Sequence, residues 1–562
     1  MKHWLALTLI VALGLAAITL SERRKVDVPP GPAAILYLVA DTERELTRMP
    51  VRFTRMSDEQ EIAIGNHLAS AYESELKENH TPSSQTVEGY LREVGSRLVA
   101  HAHRRLPYRF HYIPGKSFVN AFALPGGHVY LGQGLLARMD SEDELAAVLG
   151  HEIEHVDHYH CVERVQLEQA VRKLPFGRLA SIPVELFEAG YGKDQEMEAD
   201  GEGTRLAVAA GYSPNGAIRM FEGFQRSEQA LRTKARNPEE EVSEVANETL
   251  EGYFRSHPLP SERIAQIQKL IASERWPVVA ERDLELSYFL WGQRAEDLFN
   301  QHRYGEAQQA ALQSLKKHPD YPPGLQALAH AYFSQANFAD AAATYRKLLE
   351  RDNSHDTAWS YAIALAAADR RNADKEFDQW IKAARPGAEE MRVTLAGLAL
   401  LAENPAPADA LYAGMIRQRG SLPPDQPGEL GWWYYLAGDY PKALNLLQDA
   451  VQQRPGELQW LTDRAWVQIE SRNFEDALRG LNEVDTAAHR DQSMAKAVAY
   501  WLSAQKDASL PDFEIAVEAH PEWKNPKWVG RLYSPLVGET VQQMVAEQAR
   551  QRERQQAQTA RP

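Results

Sequence analysis

The sequence predicts two regions of different fold class: an α+β region that is mainly helical with a small sheet, and an all-α region of repeated helices. Three observations support this prediction. Residues 108–113 alternate polar and apolar side chains as a strand does, and residues 129–131 form a second strand after a Pro-Gly-Gly turn. Beyond Trp276 the chain becomes rich in Ala and Gln, and an aromatic and alanine pattern recurs there every 34 residues.

Length and charge limit the classes of protein that fit. A chain of 562 residues is too long for one core and predicts two to four domains of about 100–200 residues each. The mean hydropathy of −0.48 excludes a polytopic membrane protein. The formal net charge of −16 argues against nucleic acid as a partner, because phosphates require a cationic surface. The single cysteine, Cys161, excludes an intramolecular disulfide.

The N-terminus carries an apolar segment, residues 4–20, that contains no charged side chain. Its 17 residues are long for the core of a signal peptide and lie at the lower limit for a membrane-spanning helix, and a buried N-terminal helix is a further alternative. A cleaved signal and an uncleaved anchor therefore both stay open for residues 1–25, with a connector at 26–56. Both predict export, most simply to a bacterial periplasm, with membrane contact only through this segment.

The second region follows the tetratricopeptide (TPR) pattern, in which two helices pack through a small residue and an aromatic fills the gap to the next pair. The recurring residues are Tyr304 and Ala307, Phe338 and Ala341, Tyr440 and Ala443, and Phe474 and Ala477. We expect a TPR-like solenoid over residues 285–525, with two degenerate units at 355–425, and a polar, solvated tail at 526–562. A solenoid exposes a concave groove that holds peptides or partner helices. A non-repeat helical bundle is the alternative.

The first region contains the motif H-E-x-x-H on a predicted helix. Ser141 and Glu144 form a capping box that begins this helix. The spacing of four places His151 and His155 one turn apart, where the two imidazoles can share a metal. Glu152 is offset around the helix and can reach a water beside that metal. The alternative is a solvated helix face.

A catalytic zinc also needs a third protein ligand and an open position. Glu196, in the run Glu-Met-Glu-Ala-Asp on another predicted helix, is the candidate ligand. Asp200, one turn later, can accept a hydrogen bond from a ligand histidine. Gly150 precedes the motif and is expected to leave room beside the metal. The pattern predicts one Zn²⁺ per chain.

Four motifs lie in a fixed order along the first region. They are Asn120-Ala-Phe-Ala-Leu-Pro-Gly-Gly127, Glu144-Leu-Ala-Ala-Val-Leu-Gly-His-Glu152, Glu196-x-x-Ala199-Asp200, and Ser256-His-Pro-Leu-Pro-Ser-Glu-Arg263. Together they resemble the HtpX-like, CAAX-prenyl-protease-type zinc metallopeptidase family, in its periplasmic branch with C-terminal TPRs. The resemblance implies a mainly helical zincin metalloprotease domain at residues 57–275. It also implies that the repeats recruit unfolded or misassembled envelope polypeptides, with the outer-membrane assembly machinery as a further partner.

The resemblance also implies a role for each motif residue. His151, His155 and Glu196 would bind zinc, and Glu152 would be the general base that takes a proton from the attacking water and gives it to the leaving amine. His257 and Arg263 would donate to the substrate or the oxyanion. In the repeat-bearing branch the histidine can instead occupy the open metal position and keep the enzyme inactive.

The segment from Asn120 to Gly127, with the strand at 129–131, is expected to form an edge that pairs with an extended substrate. Asn120, Phe122, Gly126 and Gly127 are therefore predicted to bind substrate. For the first two, a role in the turn and the core is an equal alternative.

Three residues beyond the motif receive simpler interpretations. His158 and His160 are predicted to extend the same helix, with His158 at the surface or supporting a ligand. Cys161 is predicted to be a buried thiol, since the motifs already supply the metal ligands.

Two other function classes are alternatives to an exported zinc endopeptidase. The first is a TPR chaperone or docking scaffold with a latent protease domain. The second, an intramembrane protease, is excluded because it requires several spanning helices and the sequence offers only the N-terminal segment.

Overall fold

The computed structural model divides the chain into two units, Met1–Leu286 and Ser287–Pro562. The predicted signal or anchor at 1–25, nearly all of the connector and His257 lie outside the described residues. The residues that the structure describes are 56–76, 82–172, 183–188, 190–234, 260–277, 279–383, 391–418, 423, 425–482 and 492–559.

The described part of the first unit contains nine helices around a three-stranded sheet, as the α+β prediction requires. The strands are β1 (Arg109–Ile113), β2 (Ala121–Leu124) and β3 (His128–Gly132). The helices are α1 (Asp58–Leu76), α2 (Pro82–Val99), α3 (Gln133–Leu136), α4 (Glu142–Asp157), α5 (His160–Arg172), α6 (Glu185–Glu188), α7 (Lys193–Ala209), α8 (Asn215–Lys234) and α9 (Pro260–Glu274).

Strand β3 is the centre of this sheet, because it pairs in parallel with β1 and antiparallel with β2. The expectation that residues 129–131 form an edge is therefore wrong, and β2 is an edge strand of the described sheet instead. Sequence patterning missed β2, since its four residues are all buried and show no alternation of polar and apolar side chains.

Helix α4, which carries the H-E-x-x-H motif, is buried along its whole length. The backbone N–H of Glu144 donates to Ser141 Oγ over 3.2 Å, which confirms the predicted N-cap. The helix ends at Asp157, and Tyr159 then adopts a φ of +66°, a left-handed conformation that turns the chain. The prediction that His160 extends this helix is wrong, because His160 begins α5.

Two glycines allow α4 and α7 to approach each other closely. A Cβ on Gly150 would lie 2.8 Å from the carbonyl oxygen of Gly203, and a Cβ on Gly203 would lie 2.7 Å from the backbone nitrogen of His151. The room at Gly150 is thus occupied by α7, and not kept free beside a metal as the sequence predicted. This contact brings the helix that carries Glu196 against the helix that carries the motif.

The second unit is all-α in its described residues, with sixteen helices. The first fourteen form seven successive pairs, two of them within the stretch where degenerate repeat units are predicted. The recurring alanines Ala307, Ala341, Ala443 and Ala477 are all fully buried, as the repeat pattern requires. The helices are α10 (Ser287–Asn300), α11 (Tyr304–Lys317), α12 (Pro322–Ser334), α13 (Phe338–Leu348), α14 (His355–Ala368), α15 (Ala373–Ala383), α16 (Arg392–Leu401), α17 (Ala406–Arg417), α18 (Asp425–Ala437), α19 (Tyr440–Gln453), α20 (Leu458–Glu470), α21 (Phe474–Asn482), α22 (Ser493–Leu502), α23 (Lys506–Ala519), α24 (Pro526–Leu532) and α25 (Pro535–Thr559).

The C-terminal segment differs from the polar, solvated tail that the sequence predicts for 526–562. Val529 in α24 and Val537, Val541 and Met544 in α25 are fully buried. The last three repeat at helical spacing, a short apolar stripe that the Gln- and Arg-rich composition conceals. Residues 551–556 are exposed, as predicted. Within the described ranges, no helix combines the length and hydropathy needed to cross a bilayer.

Candidate active site

Three side chains from α4 and α7 bring potential metal ligands together in the first unit. His151 Nε2 lies 3.1 Å from His155 Nε2 and 3.4 Å from Glu196 Oε2, and His155 Nε2 lies 3.7 Å from Glu196 Oε1. One donor atom of each residue lies within 4.8 Å of the others, and all three side chains are buried. Two imidazoles and one carboxylate are a common protein donor set for a catalytic zinc, so these residues fit that ion.

Asp200 and Arg263 support His151 from the other side of its ring. His151 Nδ1 lies 2.9 Å from Asp200 Oδ1, which directs Nε2 toward Glu196. Burial lowers the pKa of His151, but the hydrogen bonds to Asp200 and Glu196 outweigh it and raise this pKa to about 10. A metal must therefore displace a proton from this ring in order to bind.

Arg263 is buried with the site, but its contacts differ from the predicted ones. Its Nε and Nη2 donate to the two carboxylate oxygens of Asp200 over 2.6 and 2.5 Å, and its guanidinium lies over the ring of Phe221. Burial raises the pKa of Asp200, yet the charge and hydrogen bonds of Arg263 hold it below the usual value, so Asp200 is ionised. The structure thus places Arg263 beside Asp200, and the donation to substrate that the resemblance implies stays a prediction.

His155 has a second pair of supporting residues, which sequence reasoning did not identify. Its Nδ1 lies 3.0 Å from His160 Nδ1, and His160 Nε2 lies 3.3 Å from Glu198 Oε2. The turn at Tyr159 directs His160 back toward the motif. In the sequence, Glu198 lies two residues after Glu196. This spacing was the one signal that could have indicated that Glu198 also lies near the site. His158 is half-buried and contacts Glu198 as well.

Tyr191 contacts two of the potential metal ligands, His155 and Glu196, and sequence reasoning did not identify it either. Its ring stacks on His155 with centroids 4.0 Å apart, and its backbone N–H donates to Glu196 Oε1 over 3.0 Å. Its hydroxyl lies 3.1 Å from Cys161 Sγ. Cys161 is fully buried and burial raises the pKa of its thiol, which confirms the interpretation of a buried, protonated thiol.

Glu152 is buried beside the first ligand. Burial raises the pKa of its carboxyl to about 7, and the charge of His151 partly opposes this effect. A carboxylate acts most effectively as a general base when its pKa lies near the working pH. The position and environment of Glu152 are thus suited to proton transfer.

The four residues predicted to bind substrate contact the protein itself. The Asn120 side-chain amide donates to the carbonyl of Glu188, and the ring of Phe122 is buried against Tyr130. Gly126 and Gly127 have φ values of +77° and +98°, and their backbones pass close to α1 and to the residue before β1. The structure thus supplies the turn and core contacts that were the alternative for Asn120 and Phe122, and substrate binding stays a prediction.

The fold and these residues define a zincin-type metallopeptidase domain joined to helical repeats. Residues 85–271 match the family model described as Peptidase family M48, and residues 434–499 match a tetratricopeptide-repeat model. The chain therefore carries an M48 peptidase domain followed by tetratricopeptide repeats, as the motifs predicted.

Similar proteins support this assignment. The chain is 28% identical over 231 residues to a protein from Yersinia pestis named beta-barrel assembly-enhancing protease, covering 37% of this chain and 43% of that protein. A protein of the same name from Escherichia coli is 27% identical over 38% of this chain and 44% of its own length. The mitochondrial metalloendopeptidase OMA1 of Schizosaccharomyces pombe is 30% identical over 32% of this chain and 56% of its own length. The chain thus matches less than half the length of these two bacterial proteins.

Proposed function

We propose that the chain is a zinc-dependent endopeptidase of the bacterial cell envelope. It hydrolyses peptide bonds in misfolded or incompletely assembled envelope polypeptides that its repeats recruit. The observation that supports this most strongly is the buried group of His151, His155 and Glu196, with Glu152 beside the first ligand. The names of the bacterial relatives support a role in outer-membrane protein assembly, with the assembly machinery as a partner.

Each residue of the site has a proposed task. His151, His155 and Glu196 hold one Zn²⁺, and the chemistry that zinc supplies when bound is polarisation of the scissile carbonyl and activation of water at neutral pH. Glu152 accepts the proton of the attacking water and returns it to the leaving amine. Asp200 fixes the ring of His151.

Arg263 is proposed as a positioning residue, because its donors are directed to Asp200 rather than to an open surface. We assign the metalloprotease domain to residues 57–275 and the repeat domain to residues 285–525. The N-terminal residues 1–25 export the chain to the periplasm, as a cleaved signal or an anchor.

Loss of a ligand tests the proposal directly. Glu196→Gln is expected to lose the zinc ion held by His151 and His155 together with casein cleavage, because an amide is a poor zinc ligand. Glu202→Gln, on the same helix, is the matched control and is expected to keep both. A Glu196→Gln protein that still cleaves casein, or wild-type cleavage that persists in 1,10-phenanthroline, contradicts the proposal.

A rescue experiment distinguishes the scaffold alternative from the peptidase. It measures assembly of an envelope protein in a strain that lacks this chain. Full rescue by Glu152→Gln, which keeps the ligands, favours a scaffold with a latent protease. Failure of rescue, with wild-type protein rescuing, favours the peptidase.

The role of His257 is tested by comparing casein cleavage by His257→Ala and by wild type. If this histidine occupies the open metal position, His257→Ala cleaves casein faster than wild type. If it assists the reaction, the same variant is slower at equal zinc content.

A further inference from the structure

A second group of metal-ligand side chains lies between helix α1 and the sheet. Glu73 from α1, His111 from β1 and His128 from β3 place one donor atom each within 4.8 Å of the others. His111 Nε2 lies 3.0 Å from His128 Nδ1, close to the 3.1 Å between the imidazoles of the proposed catalytic pair. In the described ranges, these are the two groups that bring three potential metal ligands together.

The hydrogen bonds of this group require more protons than its rings carry when neutral. Glu73 Oε1 lies 3.3 Å from His111 Nδ1, and His128 Nε2 lies 3.0 Å from Asn66 Oδ1. Arg109 donates to the same Asn66 oxygen over 2.7 Å, which fixes that atom as an acceptor. The two outer contacts and the His111–His128 contact therefore need three N–H protons, whereas two neutral imidazoles supply two.

Either an imidazolium or a cation between the two rings satisfies this arrangement. A neutral His128 that donates its Nε2–H to Asn66 directs the lone pair of Nδ1 toward His111. A neutral His111 can likewise direct the lone pair of Nε2 toward the same point, and one carboxylate oxygen of Glu73 lies within 4.8 Å of a nitrogen of each ring.

We propose that Glu73, His111 and His128 form a second site for a divalent ion of the zinc class. Two imidazoles and a carboxylate suit Zn²⁺ better than Mg²⁺ or Ca²⁺, which prefer oxygen ligands. Glu73 and His111 are partly exposed, so an ion can enter and water can complete its coordination. Arg109 opposes a cation here, but it is exposed and solvent screens its charge.

This site is structural and independent of peptide hydrolysis. Its ligands come from α1, β1 and β3, so a bound ion ties the first described helix to the sheet. An ion that binds only the folded state raises stability by mass action. The wild-type chain then binds two zinc ions, where the sequence predicted one.

Zinc content is the test, measured by mass spectrometry of the full chain after incubation with zinc chloride and gel filtration. Wild type is expected to hold two ions per chain, and His111→Gln and His128→Gln one each. His101→Gln, an exposed histidine of the same unit, is the control and keeps two. One ion in wild type, or two in His111→Gln, overturns the proposal.

A second measurement guards against a variant that fails to fold. In Glu196→Gln, where the proposed catalytic site is weakened, zinc is still expected to raise the melting temperature through the second site. Adding Glu73→Gln, a conservative change at a half-exposed position, should abolish this rise without lowering the melting temperature in chelator. A rise that persists in the double variant contradicts the assignment.

Discussion

Two buried aspartates, one in each unit, have opposite pKa shifts. Asp200 in the first unit is paired with Arg263, and its pKa lies below the usual value. Asp463 in α20 of the second unit accepts from the amide of Gln459, and burial raises its pKa to about 8. Burial acts in the same direction on both carboxyls, so the cationic partner accounts for the difference.

This contrast distinguishes the polar candidate site of the first unit from the apolar core of the second unit. In the first unit, buried acids and imidazoles are arranged in pairs around the proposed metal ligands, which orients them and keeps Asp200 ionised. In the second unit, buried aromatic and alanine side chains fill the spaces between helices, and Asp463 is a neutral acid within that packing. Replacing the two aspartates by asparagine should therefore change the free energy of unfolding in opposite directions. Asp200→Asn should destabilise the protein, and Asp463→Asn should stabilise it at alkaline pH.

The largest effect is expected for Asp200→Asn. The amide removes the nearer of the two carboxylates beside the buried guanidinium of Arg263 and leaves Glu196 at 3.9 Å, which should cost about 3 kcal/mol of unfolding free energy. Calorimetry in the presence of chelator measures this loss without a contribution from bound metal. Asp194→Asn, an exposed position on the same helix, is the control, and equal stability of the two variants would refute the pairing argument.

Asp463→Asn should have the opposite effect at alkaline pH. Because the folded-state pKa of Asp463 is raised from 3.8 to about 8, its stabilising contribution is complete below pH 4 and is lost as the pH rises toward 8. The wild-type unit should lose about 1.4 kcal/mol per pH unit in this window from that group alone. The variant lacks this slope and should be more stable than wild type at pH 8.

Tryptophan fluorescence is suited to this measurement, since ten of the 12 tryptophans belong to the second unit. Urea unfolding at pH 5 and pH 8 gives the slope for both proteins. An identical slope in the variant would show that Asp463 is ionised in the folded state.

Gly203→Ala should have a smaller effect, concentrated at the metal site. The added methyl would meet the backbone of His151 at 2.7 Å, so α7 must move away from α4 and carry Glu196 with it. Overpacking of this kind costs about 1–3 kcal/mol and should weaken zinc binding. In Gly201→Ala, on the same helix, the methyl meets only the end of the Gln266 side chain, and zinc affinity should be unchanged.

The smallest effect concerns Cys161, whose burial and raised pKa predict an unreactive thiol. A disulfide reagent at pH 8 should modify it only after urea is added. Rapid modification of the folded protein would show that the surroundings of Tyr191 open to solvent.

The two proposed histidine ligands and the helical repeats were predictable because their signals are local. His151 and His155 follow from a spacing of four on one helix, and the recurring alanines of the second unit follow from a period of 34. Both depend on residues close in sequence, and the structure agrees with both.

The other features of the fold and of the candidate site depend on contacts between residues distant in the sequence, which no local pattern encodes. The order of the strands, with β3 between β1 and β2, is set by pairing between distant segments. His160 reaches His155 only because Tyr159 adopts a left-handed turn, and Tyr191 reaches the site from a loop. The packing of α25 depends on three apolar residues in a polar segment.

The most direct test of the central claim is casein cleavage by Glu152→Gln beside Glu154→Gln, two buried glutamates of the same helix. Glu154 pairs with His158 at 3.2 Å and has no proposed part in the reaction. The account predicts that Glu152→Gln retains zinc and loses at least about 100-fold in rate, while Glu154→Gln retains cleavage. Undiminished cleavage by zinc-loaded Glu152→Gln would contradict it.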